Sequence, residues 1–214
     1  MGFLRGTRTL SGDRFCTPGD GAGQAAMASW RRMERPTRKR TGPKPVTKER
    51  LERIALHYLE RFASSAENLR RVLLRRVDRS ARLHGTDAAE GAQWVDALVE
   101  RYRRSGLLDD RAYAEAKTQS LRRRGASARM VRQKLGAKGV DADTVAAALD
   151  AAGGADDLAA AFAYARRRRL GPFGPAASRK DRRQRDMAAL ARAGYDYDTA
   201  RKVIDARPED DPAA

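Results

Sequence analysis

The sequence has one cysteine, Cys16, two histidines, His57 and His84, and only 6% aromatic residues. A lone thiol excludes an intramolecular disulfide and any cysteine-based metal site, and it suits a reducing compartment. So few aromatics argue against one thick core and for several thin ones built from Leu, Val and Ala. No run approaches the roughly 18 apolar residues of a membrane-spanning helix, and residues 1–20 lack the apolar centre of a signal peptide. The basic helices also carry no Trp or Phe stripe to bury in a membrane surface. The expectation is a cytoplasmic protein without a membrane role.

Catalytic patterns are equally scarce. There is no HExxH arrangement, no GxxxxGK[ST] loop and no His/Asp/Glu cluster on one helix face. The sequence therefore predicts a binding protein, not an enzyme, with no cofactor and no metal. Acidic residues are outnumbered as well, 28 Asp and Glu against 45 Lys and Arg, for a formal charge of +17. Such an excess repels itself unless an anionic partner or salt screens it, so a polyanion is the expected partner.

Residues 1–46, rich in Gly, Arg, Pro, Ser and Thr and without helical period, read as a disordered basic leader. The stretch Arg31 to Arg40 is basic enough for an electrostatic arm, although a solvated linker accounts for it as well. From Thr47, a credible N-cap, Leu51, Ile54, Ala55, Tyr58, Leu59 and Phe62 recur at the spacing of one apolar helix face. A second helix follows Ser65 with Leu69, Val72, Leu73 and Val77 inward, and a third carries Trp94, Val95, Leu98, Val99 and Tyr102 before Gly106.

The pattern then restarts. A forward step of 62 residues carries Thr47 to Asp109, Leu59 to Leu121, Ser65 to Ser127, Leu69 to Val131 and Leu73 to Leu135; a step of 55 carries Asp141 to Asp196 and Leu149 to Ile204. Self-similarity that recurs twice with one helix order points to tandem duplication. The expected fold is all-α: an elongated tandem array of three degenerate three-helix repeats, residues 47–108, 109–155 and 156–207, with a frayed acidic tail at 208–214. The segment Leu170 to Pro175, with two prolines among glycines, cannot continue a helix and reads as a turn or hinge.

Positive charge is segregated within each repeat. Base-rich stretches run from the end of the first helix into the second: Arg61 to Arg82, Arg122 to Lys138, and Arg166 to Arg185, the last including Arg166, Arg167, Arg168 and Arg169. Residues 139–165 hold five acids and no base. Repeated basic patches suit a repeating anionic partner, and binding to DNA would weaken steeply with salt as counterions are released. The scarcity of aromatics argues against a base-stacking platform.

The run Gly106-Leu107-Leu108-Asp109-Asp110, followed by Tyr113-Ala114, the Arg-rich helix end Arg122 to Gly125 and the turn Lys138-Gly139-Val140, resembles the RecX family in order and spacing. The resemblance covers roughly residues 47–206. It implies an all-helical regulator that binds the RecA recombinase filament on DNA and inhibits its ATPase, strand-exchange and coprotease activities. DNA itself would be a weak, salt-dependent, sequence-independent partner of a monomer. On this reading the partner-facing residues are Arg70, Arg71, Arg75 and Arg76 in the first repeat. In the second they are Arg122, Arg123, Arg124, Arg129, Arg132, Lys134 and Lys138, and in the third Arg182, Arg183 and Arg185.

The motif residues themselves are expected to serve the fold. Gly106 and Gly139 suit helix ends needing positive φ, Asp109, or its neighbour Asp110, suits an N-cap, and Tyr113 suits the core, with Leu107, Leu108, Ala114 and Val140 as their structural neighbours. A competing reading is a helix-turn-helix DNA-binding regulator, because Ser127 to Leu149 reads helix, glycine turn, helix. Its second helix carries Asp141 and Asp143 and no base where base and phosphate contacts are needed.

Overall fold

The computed structural model describes residues 44–154 and 156–212. The leader, its basic stretch Arg31 to Arg40 and Cys16 lie outside the described residues, apart from the leader's last three positions. Among the described residues there are nine α-helices and no strand. They are α1 (Lys48–Leu59), α2 (Ala66–His84), α3 (Ala88–Arg104), α4 (Asp110–Arg123), α5 (Ala128–Gly136), α6 (Ala142–Ala151), α7 (Leu158–Arg168), α8 (Arg179–Arg192) and α9 (Tyr197–Asp205).

Short polar side chains start these helices. The oxygens of Thr47, Ser65, Asp109, Ser127, Asp141 and Asp196 each accept from the backbone N–H three residues on, satisfying an amide the helix leaves unpaired. Each such cap is worth about 1 kcal/mol. The nine residues from Arg79 to Asp87 that set the first repeat apart lengthen α2 to His84, where Gly85 turns left-handed and stops it.

Each group of three consecutive helices closes around its own core, which makes the chain a tandem array of three-helix repeats. Leu51, Leu69, Leu73, Val77 and Val95 fill the first, Val131, Leu135, Val145 and Leu149 the second, and Phe162, Leu190, Val203 and Ile204 the third. Leu51 and Leu69 repeat the places of Tyr113 and Val131, so one apolar pattern builds successive thin cores.

Three expectations shift, and the turn expected at Leu170 to Pro175 is found. Val46, read as leader, is buried in the first core, and its N–H donates to Ser80 Oγ at 2.9 Å. Phe62, read as part of α1's inward face, is 56% exposed, because α1 ends at Leu59 and the chain turns before the next inward position. Within the acidic tail, Pro208–Asp210 form a short 3-10 turn and Asp211 is buried against Arg166. The Leu170 to Pro175 segment is a packed turn. Its short 3-10 stretch Gly171–Phe173 sets the Phe173 ring edge-on to Phe162 at 6.4 Å, while Gly171 N donates to the buried carboxylate of Asp186 at 3.0 Å. Alanines dominate α7's inward face, and Phe173 supplies bulk that they lack.

Candidate partner-binding surface

Neighbouring aspartates divide their work at each repeat junction. Asp109 caps its own helix through Ala112 N at 2.9 Å, while Asp110 reaches back and accepts from Ala66 N, at the start of α2, at 2.8 Å. Forty-seven residues on, Asp156 accepts from Leu158 N at 2.9 Å, while Asp157 accepts from Ala128 N, at the start of α5, at 2.9 Å. The second helix of one repeat is thus capped by the first helix of the next. A carboxylate at that place also complements the helix dipole.

The serines return the contact. Ser65 Oγ donates to the carbonyl of Lys138 at 2.5 Å and Ser127 Oγ to the carbonyl of Ala193 at 2.8 Å, each at the far end of the next repeat's second helix. Arg71 adds a donation to Ala137 O at 2.9 Å. Glycine is required where these parts meet: with φ +75, Gly139 lies so near Glu67 that a Cβ would stand 2.3 Å from its Cγ. The second junction is drier than the first. Arg122 pairs with Asp157 and also donates to Asp156 O at 2.5 Å, the Arg122 and Asp157 side chains being about one tenth exposed. Beside them the Tyr195 hydroxyl is buried without a partner, and burial first, then the Asp157 charge, pushes its pKa up.

This frame sorts the arginines singled out in the sequence. Arg122 is engaged at the junction by its ion pair with Asp157, both side chains being about one tenth exposed. Arg70 pairs with Asp96 at 2.6 Å, Arg71 with Glu67 at 2.9 Å and Arg183 with Asp205 at 2.8 Å, all at the surface. The Asp96 hydrogen bond raises the Arg70 pKa, and the Asp205 hydrogen bond raises that of Arg183. Lys138 Nζ donates to Asn68 Oδ1 at 3.1 Å. Arg75, Arg76, Arg123, Arg124, Arg129, Arg132, Lys134 and Arg185 are exposed and have no carboxylate partner among the described residues.

Four residues of that set share one cleft, of about 770 Å³, between the second and third repeats. Arg124 comes from the turn after α4, Lys134 from α5, and Arg182 and Arg185 from α8. Three cations outside the partner-facing set join them: Arg167 and Arg168, from the third base-rich stretch, at the end of α7, and Arg192 at the end of α8. One acid lines the cleft, Asp186, and it is buried, bonded to Gly171 N, with Arg182 3.8 Å away. Gly125 lets the walls close. Its φ is +73, and a Cβ there would stand 2.5 Å from the backbone nitrogen of Tyr164.

The remaining residues of the set, among them Arg75, Arg76, Arg129 and Arg132, lie outside this cleft. Arg167 and Arg168 reach the cleft because the turn at Gly125 packs against Tyr164 on α7. The structural motif residues also separate. Leu108, Ala114 and Val140 are buried, Gly106 has φ 73, and Tyr113 packs at the edge of the second core, whereas Leu107 is 50% exposed and contributes nothing to a core.

Seven cations around one engaged carboxylate form a strongly positive concavity, where low-dielectric walls focus the field toward an anion. Arginine predominates, which favours forked hydrogen bonds to phosphate oxygens. Among the described residues no group of His, Cys, Asp and Glu is arranged to hold a metal ion, and no helix is long and apolar enough to cross a membrane. Helix α6, the recognition helix of the competing reading, presents Asp143 and Asp150 and no base.

Comparison with known proteins agrees with this architecture. The family model for the second three-helix domain of RecX matches residues 109–149. The regulatory protein RecX of Myxococcus xanthus is 49% identical over 168 residues, covering 78% of this chain and 90% of that protein. That of Agrobacterium fabrum is 39% identical over 97 residues, covering 45% and 51%, and that of Thermobifida fusca 34% over 111 residues, covering 51% and 59%. No solved structure matches.

Proposed function

The chain belongs to the RecX family of regulatory proteins, and we propose that it binds the RecA recombinase filament on DNA and restrains its ATPase, strand-exchange and coprotease activities. It thereby modulates recombination and the response to DNA damage. It acts as a non-enzymatic monomer in the cytoplasm, where such filaments form, and touches DNA weakly and without regard to sequence.

The observation that carries this reading is the cleft at the second junction, with seven cations and a single buried acid. A DNA backbone offers one phosphate charge at short, regular intervals, and a protein that neutralises several phosphates gains affinity by releasing their counterions. A chain built of tandem three-helix repeats suits a partner that is itself repetitive.

The test is DNA-stimulated RecA ATPase measured with and without the protein at two salt concentrations. Loss of ATPase, stronger at low salt, is expected. Unchanged ATPase beside tight binding to one DNA sequence would replace this reading with that of a sequence-specific regulator.

A further inference from the structure

We propose that the first junction carries a second docking site, an apolar groove that takes a protein side chain from the filament, not DNA. The inference rests on the proposed function and divides the partner surface into a phosphate site and a protein site.

The groove lies between the end of α1 and the start of α4, with a volume of about 890 Å³. Leu56, Leu59, Phe62, Leu107 and Tyr113 line it. Among the described residues five large apolar side chains stay exposed, and three of them meet here: Leu56 at 41%, Phe62 at 56% and Leu107 at 50%. A chain so poor in aromatics leaves Phe62 outside its cores, tilted against Tyr58 at 5.3 Å. Contiguous apolar exposure within a polar rim is the signature of a protein contact.

Repeat geometry links this groove to the basic cleft. The 62-residue step carries Leu59, Phe62, Ala63 and Ser64 onto Leu121, Arg124, Gly125 and Ala126, and the 47-residue step carries Lys117 onto Tyr164; every one of these residues lines its own junction. The two concavities therefore occupy corresponding places at successive junctions, the first apolar and the second cationic. A partner lying across both meets them in series.

Charge identifies the occupant. Arg61 and Lys117 stand on the rim without a carboxylate partner among the described residues, while the rim acids are engaged, Asp109 with Ala112 N and Glu60 3.5 Å from His57. The complementary ligand is an apolar anchor flanked by carboxylates. A nucleic-acid backbone would leave the apolar walls without a counterpart, and a second copy of a chain with net charge +17 would meet repulsion.

The experiment compares the full chain with Phe62→Ser/Leu107→Ser for binding to RecA filaments assembled on single-stranded DNA and to the same DNA bare. Filament binding is expected to weaken about 10-fold or more, as for loss of a buried anchor, with bare-DNA binding changed less than about twofold. A second variant, Arg61→Glu/Lys117→Glu, alters no apolar packing and is expected to shift filament binding in the same direction. Unchanged filament binding by both variants overturns the proposal, as does an equal loss on bare DNA, which would make the groove a nucleic-acid site. Sedimentation showing a wild-type dimer that Phe62→Ser/Leu107→Ser dissolves would overturn it too, assigning the groove to a second copy. If the unmodified protein fails to bind filaments, the proposed function fails first and the groove loses its partner with it.

Discussion

The carboxylate of Asp157 faces the guanidinium of Arg122 across the second repeat junction, with each side chain about one tenth exposed. The same carboxylate closes the start of α5 through Ala128 N. Removing one member of such a pair leaves a buried charge without a counterion. Asp157→Asn is therefore expected to cost about 3 to 5 kcal/mol, read as a lower midpoint in urea unfolding. Replacing both partners, Arg122→Met/Asp157→Asn, should recover part of that loss, and a double variant no more stable than the single one would show that the unpaired charge of Arg122 is not its source.

The serine caps offer a graded comparison. Thr47→Ala removes one capping hydrogen bond within repeat one, whereas Ser65→Ala and Ser127→Ala remove a cap and a bond to the next repeat. The expected losses are about 1 kcal/mol for Thr47→Ala and about 2 kcal/mol for each serine. Equal denaturation midpoints for the three variants would contradict the inter-repeat role.

Glycine substitutions separate backbone preference from close approach. Gly85 and Gly125 both have positive φ, but a Cβ at Gly85 meets open space and one at Gly125 collides with the Tyr164 backbone. Gly85→Ala is expected to cost about 1 to 2 kcal/mol. Gly125→Ala should cost clearly more and should also weaken anion binding, since the turn that carries Arg124 must move. Urea midpoints and DNA titrations of the two variants check both expectations.

Neutralising the cleft with Arg124→Gln/Arg168→Gln/Arg185→Gln is expected to reduce the slope of log affinity against log salt by about 2 to 3, near one for each phosphate left without its cation. Neutralising Arg70 and Arg183, already paired with Asp96 and Asp205, should change the slope less. Fluorescence titration of DNA or filament at several salt concentrations reads both.

Acid should loosen the surface network. The Arg183 hydrogen bond holds the Asp205 carboxyl below its ordinary range, and hydrogen bonds to Thr144 and Thr199 do the same for Asp141 and Asp196. Folded-state values below the unfolded ones mean that this stabilisation is present above the unfolded carboxylate pKa, about 4, and is lost as pH falls through the folded values. Thermal midpoints should drop below about pH 4. Asp196→Asn should flatten that part of the profile.

Much of this architecture is legible in the chain because local signals and packing agree. Thr47, Ser65 and Ser127 announce helix starts, and Leu69, Leu73, Val131 and Leu135 mark inward faces at the helical period. Legibility ends where a residue's partner is remote in sequence. Asp110 and Asp157 look like second-best N-caps for the helices beside them, yet each serves a helix of the preceding repeat. Leu107 and Leu108 are identical to any pattern count, and only the turn geometry buries one and exposes the other. The repeated bases are plain in the sequence, but which of them line one cleft depends on the helix ends the junction brings together: Arg122 is turned to Asp157, while Arg167, Arg168 and Arg192 line the cleft.

The back-reaching aspartates give the array a direction in time. On a ribosome, Ala66 emerges 44 residues before Asp110, and Ala128 emerges 29 residues before Asp157. The second helix of each of these repeats is therefore synthesised with an open amide end that only the next stretch of nascent chain can close. The carboxylate that completes each of these helix starts is thus made only when the following repeat begins.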